Sequence, residues 1–174
     1  MARHVRSDET FKPAQDSGKA TGVAEASVAF RGLSEFSLLY RDGRDRHVRT
    51  IRSGVPATYV KDLGSRLKLQ QKELLNALNI SQATVSRKMA SEVALSSSDS
   101  ERVLGVAKLI GQVETMMAES SDVQDFDAAE WVGRWLTRPA RALGGVKPID
   151  YLDTIEGQGL LSDLLAKQQS GAYA

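Results

Sequence analysis

Gln71 to Ala90, QKELLNALNISQATVSRKMA, reads as a helix, a tight turn and a second helix. Leu74, Leu75 and Leu78 share one face of a helix by their three- and four-residue spacing. Asn79 stands where that helix must stop, and Asn tolerates the left-handed conformation of a helix C-terminus. Ile80 plugs the turn, and Ser81 is a good N-cap for a second helix. In that helix Val85 and Met89 point inward. Ser81, Gln82, Thr84, Ser86, Arg87 and Lys88 face outward, with Gln71 placed at the start of the first helix to cap backbone or reach phosphate. The outward set holds hydrogen-bonding side chains and two cations, and no carboxylate. A helix that lies in the DNA major groove needs such a surface, because phosphates and base edges reward donors and repel acids. A plain helical hairpin with a solvated polar face is the competing reading.

The wider chain divides by charge. Residues 1–90 carry 16 Lys/Arg and 9 Asp/Glu, whereas residues 91–174 carry 7 and 13. Such segregation predicts two surfaces with two kinds of partner, the basic half for a polyanion such as DNA and the acidic half for something else. The chain has no cysteine, which excludes disulfides and thiolate metal sites and suits a reducing cytoplasm. No apolar run reaches the roughly 18 residues that span a bilayer, so no membrane partner is expected.

The remaining segments read as helices. Residues 1–27 have little periodicity and are expected to form a disordered or flexible tail. Phe30, Leu33, Phe36, Leu39 and Tyr40 have helical spacing, and Asp42-Gly43 is a turn signal. His47 to Arg52 alternates like a strand but could equally open a helix; a helix near 47–53 is the expectation. Arg41, Arg44, Arg46, Arg49 and Arg52 cluster there, by default as a solvated face. A helix from about Pro56 to Leu67, with Tyr59, Val60, Leu63 and Leu67 as its stripe, is expected to brace the two-helix motif. Ser98-Asp-Ser-Glu101 has the form of a capping box opening a long helix to Met117. That helix is apolar on more than one face, so it needs two burial partners; it either joins the two halves or contributes to a dimer contact. Asp127 to Glu130 begins the next helix. Trp131 and Trp135 stand on one face of it, each able to bury roughly 150–250 Å²; with Pro139 they are expected to hold the structure together rather than meet a partner. Gly144-Gly145 marks a turn. Pro148 opens a further helix with Ile149 and Leu152 inward, and Leu160, Leu161, Leu164 and Leu165 form a last amphipathic helix. The fold class is therefore all-α.

Residues Trp135 to Thr154, WLTRPARALGGVKPIDYLDT, followed by Gly157, resemble the toxin-binding domain of the Xre/MbcA/ParS-type antitoxins. The ending Gly171-Ala-Tyr-Ala174 resembles that family's C-terminus. Arg52 to Pro56 and Leu95 to Leu104 match the segments that flank its helix-turn-helix. The resemblance runs from about residue 50 to the end. It implies an Xre/Cro-like helix-turn-helix at 70–90 within a helical DNA-binding region 28–118, then a small helical toxin-binding domain 119–174. It further implies a homodimer that binds operator DNA and neutralises a cognate RES-domain toxin, which consumes NAD⁺ or transfers ADP-ribose from it. By position, Gly171, Tyr173 and Ala174 would lie near the toxin's cleft, and Arg138, Leu143 and Leu152 in or behind the contact surface. The sequence departs from the family pattern at Leu75, where a small Ala is usual, at Asn79 in place of the turn Gly, and at Gly105, where an Arg is frequent.

Enzymatic chemistry is not expected. His4 and His47 lie in basic, non-periodic contexts, no His/Asp/Glu spacing suggests a metal site, and no Gly-rich phosphate loop follows a strand. No cofactor is implied. Two non-enzymatic alternatives to the antitoxin reading stand beside it: a stand-alone helix-turn-helix regulator whose C-terminal domain only dimerises, and a protein–protein adaptor, which the cationic front half disfavours.

Overall fold

The computed structural model describes residues 34–119 and 126–169, which form one compact all-helical unit. The flexible tail expected over 1–27 lies outside the described residues, as do Gly171, Tyr173 and Ala174. Eight α-helices are found among them: α1 Glu35–Arg41, α2 Arg44–Ser53, α3 Thr58–Leu67, α4 Gln71–Ala77, α5 Gln82–Ala90, α6 Ser97–Ala118, α7 Ala128–Leu136 and α8 Ile155–Gln169. Two 3-10 turns, Arg141–Leu143 and Pro148–Tyr151, link α7 to α8.

α6 is the axis. Val103, Leu104, Val106, Ala107, Leu109, Ile110 and Val113 are all buried, so its apolar surface runs round the helix and demands cover on every side. α1 and α2 supply it from the N-terminal segment, α7 and α8 from the C-terminal one. Of the two roles expected for this helix, joining the halves is the one the fold displays. α1 seats on Gly111, where an added Cβ would stand 2.0 Å from the Phe36 carbonyl oxygen. The Ser34 and Ser37 hydroxyls both donate to the Glu114 carboxylate and fasten the same seam. Across α6, Gln158 of α8 donates its amide to the carbonyls of Arg102 and Leu152 at 2.9 and 2.8 Å. It lies over Gly105, whose missing side chain leaves room for it. The departure from Arg at 105 thus accommodates an internal polar clasp.

The core is continuous from the helix-turn-helix to the C-terminal helices. Leu67, Leu74 and Leu75 belong to the same cluster as Val132, Leu136, Ile149 and Leu152. α7 approaches the end of α3 so closely that a Cβ on Gly133 would stand 1.9 Å from the Leu67 carbonyl oxygen.

One local expectation is corrected. α6 begins at Ser97 with Ser96 as N-cap, its Oγ accepting from the Asp99 N–H at 3.1 Å; the capping pair is Ser96 with Asp99, not Ser98 with Glu101. The cause is upstream, where Leu95 N–H donates to Val55 O at 2.8 Å and Ala94 bridges Pro56, holding the chain extended until Leu95. Residues 47–52, whose alternation left a strand open, are helical, and α2 lies against α6 without burying any residue below the surface.

α3, α4 and α5 end alike. Lys68, Asn79 and Glu92 have φ of 56°, 51° and 53°. Each sits inside a paired closure: Leu69 N–H to Gly64 O, Ile80 N–H to Leu75 O and Val93 N–H to Lys88 O, each with a tighter bond one residue earlier. This is the Schellman arrangement, which glycine fills with least strain. Lys68→Gly or Glu92→Gly should therefore raise stability by about 0.5–1 kcal/mol, read as a higher melting temperature. Gly133→Ala should act oppositely, costing about 1–3 kcal/mol through overpacking against Leu67, and no exposed-site Gly→Ala control should match it.

Candidate DNA-reading and partner-binding surfaces

The helix-turn-helix presents α5 outward. Ser81, Gln82, Ala83, Ser86 and Arg87 are exposed, Thr84 is half-exposed, and Val85 is fully buried beneath them. Ser81 caps the helix, its Oγ accepting from Thr84 N–H at 3.4 Å. No acid stands in the first turn, so the positive end of the helix dipole is left uncompensated. Arg87 has no ion pair among the described residues. Gln71 is half-buried at the start of α4, with exposed Lys72 next to it. Leu75 is wholly buried, and the Asn79 turn closes normally around Ile80.

Lys88 differs from its neighbours. Its ammonium donates to the Ala94 carbonyl at 2.7 Å, and the side chain is half-buried. It fastens the loop after α5 and is not aimed outward with Arg87. The arginine cluster on α2 is also partly neutralised, by Arg46–Asp42 and Arg49–Asp45 pairs one helical turn apart.

The second surface lies on α7 and the chain that follows it. α7 turns Ala128, Ala129, Val132, Gly133 and Leu136 into the core. Its other face carries Trp131, Arg134 and Trp135, with Arg138 continuing the line. The two indoles are half-buried and stacked, with centroids 6.2 Å apart and planes 9° from parallel. Phe126 leans on Trp131 with its centroid 6.4 Å away. The tryptophans pack against the core and on their open sides also line a groove of about 450 Å³ with Arg138, Pro139, Arg141 and Leu164. The spacing 131, 134, 135, 138 carried the signal, because a core face would not interleave arginines with tryptophans. Trp135 Nε1 is buried with no partner among the described residues.

A second depression, of about 690 Å³, adjoins the first through Ala142 and Leu164 and is lined by Leu143, Tyr151, Leu160 and Asp163. Arg138 and Leu143 thus stand on adjoining parts of one face. Leu152 is fully buried and can only support that face from behind.

Among the described residues no group of three or more His, Asp or Glu side chains is placed to hold a metal ion. His47 is engaged through Nε2 with the Leu39 carbonyl at 2.6 Å. Burial, and secondarily the Glu35 carboxylate, hold the Tyr59 phenol above its usual range, which keeps it neutral. No helix among the described residues is long and apolar enough to cross a membrane.

Comparison with known proteins agrees with this layout. The family model described as antitoxin Xre-like helix-turn-helix domain matches residues 46–108. The one described as antitoxin Xre/MbcA/ParS C-terminal toxin-binding domain matches residues 124–171. A relative named Prs ADP-ribosylating antitoxin, from Sphingobium sp. (strain YBL2), is 48% identical over 154 residues, covering 88% of this chain and 97% of the relative. With an exposed, acid-free second helix in its helix-turn-helix, a grooved C-terminal face and a relative that matches across both, the chain belongs to the Xre/MbcA/ParS-type antitoxins.

Proposed function

We propose that this antitoxin belongs to a type II toxin–antitoxin pair in the cytoplasm, that its partner is an NAD-consuming RES-domain toxin, and that as a homodimer it represses its own operon. In this reading residues 28–118 hold the operator and residues 119–174 hold the toxin. Gln71, Ser81, Gln82, Thr84, Ser86 and Arg87 meet DNA, with Lys88 fixing the loop behind them. Arg138 and Leu143, supported by Leu152, meet the toxin together with Gly171, Tyr173 and Ala174. The observation that carries the proposal is the relative's match along nearly its whole length, under a name that joins antitoxin with ADP-ribosylation. ADP-ribosyl transfer draws on NAD⁺ as donor, which is the chemistry of an NAD-consuming partner.

Operator reading by a two-fold dimer requires the two copies of α5 about 34 Å apart. Within one chain α6 packs against α1, α2, α7 and α8.

Co-expression with the neighbouring gene tests the toxin half. Expression of the neighbour alone should arrest growth and deplete cellular NAD⁺, and this chain should restore both. Deletion of residues 171–174 should restore toxicity while the dimer persists on gel filtration. A harmless neighbour that never co-purifies would leave the stand-alone regulator in its place.

The DNA half is tested by salt titration of operator binding. Arg87→Ala should lower affinity and reduce the slope of log K against log [salt] by about 0.9, the value for one lost phosphate contact. Lys88→Ala should change that slope less and lower the melting temperature, since its ammonium is tied to Ala94.

A further inference from the structure

We propose that the tryptophan-lined groove is the seat of an acidic segment of the toxin. Its carboxylates would lie on Arg138 and Arg141, and an apolar side chain against Trp131, Trp135 and Leu164. This rests on the toxin-binding reading above and assigns its contact chemistry.

Charge is the first argument. Residues 91–174 hold 13 acids against 7 bases, yet three of those bases, Arg134, Arg138 and Arg141, line this single groove and no acid does. Arg134 is paired with Glu130. Arg138 and Arg141 are exposed and have no ion pair among the described residues. Two guanidiniums that line one groove without an ion pair among the described residues suit carboxylates, which make charge-assisted hydrogen bonds to them.

The aromatic pair is the second argument. The opposite face of α7 already supplies the core, with Val132 and Leu136 fully buried. Trp131 and Trp135 are stacked on each other and half-open to the groove, so they form a rigid apolar wall that needs little ordering on binding. Trp and Arg are the residues that most often dominate binding energy when a partner desolvates them.

The adjoining depression decides between a peptide and a nucleic-acid strand. Arginines beside open indoles also suit single-stranded nucleic acid. Past Ala142 and Leu164, however, the surface around Leu143 and Leu160 is bordered by two acids, Glu156 and Asp163, against one base, Lys167. A continuous polyanion is repelled there. A peptide that is acidic at one end and apolar or basic at the other fits the whole length, and the two halves fix its direction.

The test uses the full-length chain and the RES-domain protein encoded beside it, titrated at several salt concentrations, with operator binding and thermal melting as checks of folding. Arg138→Glu/Arg141→Glu should weaken the complex about 100-fold or more and flatten its salt dependence, as expected for charge pairs desolvated at an interface. Trp131→Ala/Trp135→Ala should weaken it at all salt concentrations. Lys147→Glu, a charge change outside the groove, should leave it within about threefold, since isolated rim charges contribute little affinity. Lysine substitutions on an acidic toxin segment should recover binding to the Arg138→Glu/Arg141→Glu chain. A double glutamate variant that binds the toxin as tightly as the unaltered chain overturns the groove assignment while leaving toxin binding intact. A variant that loses only self-association, or only single-stranded nucleic acid, overturns it in favour of that occupant. Failure of the unaltered chain to bind the neighbour's product overturns the toxin reading and the groove assignment together.

Discussion

A helix with apolar side chains on every flank cannot stay in water, and α6 is such a helix. Its burial requires neighbours from both ends of the chain, which is why α1 and α2 are drawn to one side and α7 and α8 to the other. The close seams at Gly111 and Gly105 follow from this, since each lets a neighbour approach the axis to backbone or amide contact. Some of the polar groups trapped along the way are satisfied by α8, although Arg102 Nε and Thr115 Oγ1 find no hydrogen-bond partner among the described residues. Gln112, for example, donates to the Ser162 carbonyl at 2.9 Å and accepts from the Ser162 hydroxyl at 2.8 Å. With the axis enclosed, the outer faces of α5 and α7 are left open to solvent.

Much of this was legible from residue order because it depends on local chemistry. Asn79 in the left-handed turn, Ser81 and Asp127 as N-caps and the enclosed character of α6 each follow from one residue or one periodicity. The start of α6 was misplaced by two residues because a bridge between Pro56 and Ala94, far apart in sequence, sets where the chain leaves extended geometry. Lys88 was grouped with Arg87 for the same kind of reason. Adjacent cations look alike in a string of letters, and only the folded loop shows that one of them reaches Ala94. The helical fate of 47–52 was ambiguous because six residues of alternation are too short to separate a strand from one flank of an amphipathic helix.

The surface on α7 was half-read. The family resemblance pointed to Arg138 and Leu143, and these stand on adjoining grooves. The tryptophans were expected to hold the structure together, and they do pack against the core, but the groove on their open side was not foreseen. Net charge hides a local pattern: the C-terminal half is acidic in sum, but three of its four arginines line one groove. A sum over 84 residues says little about a patch made by three.

The contact of Gly133 with Leu67 places the two modules in a single interlocked body. They cannot be exchanged between relatives as cassettes joined at the loop after α6. A graft that brought a bulkier residue to position 133, or a different trajectory at the end of α3, would wedge the donor's helices away from the host. Change is therefore more easily tolerated on the two outer faces, while the hidden joint between the modules must travel intact.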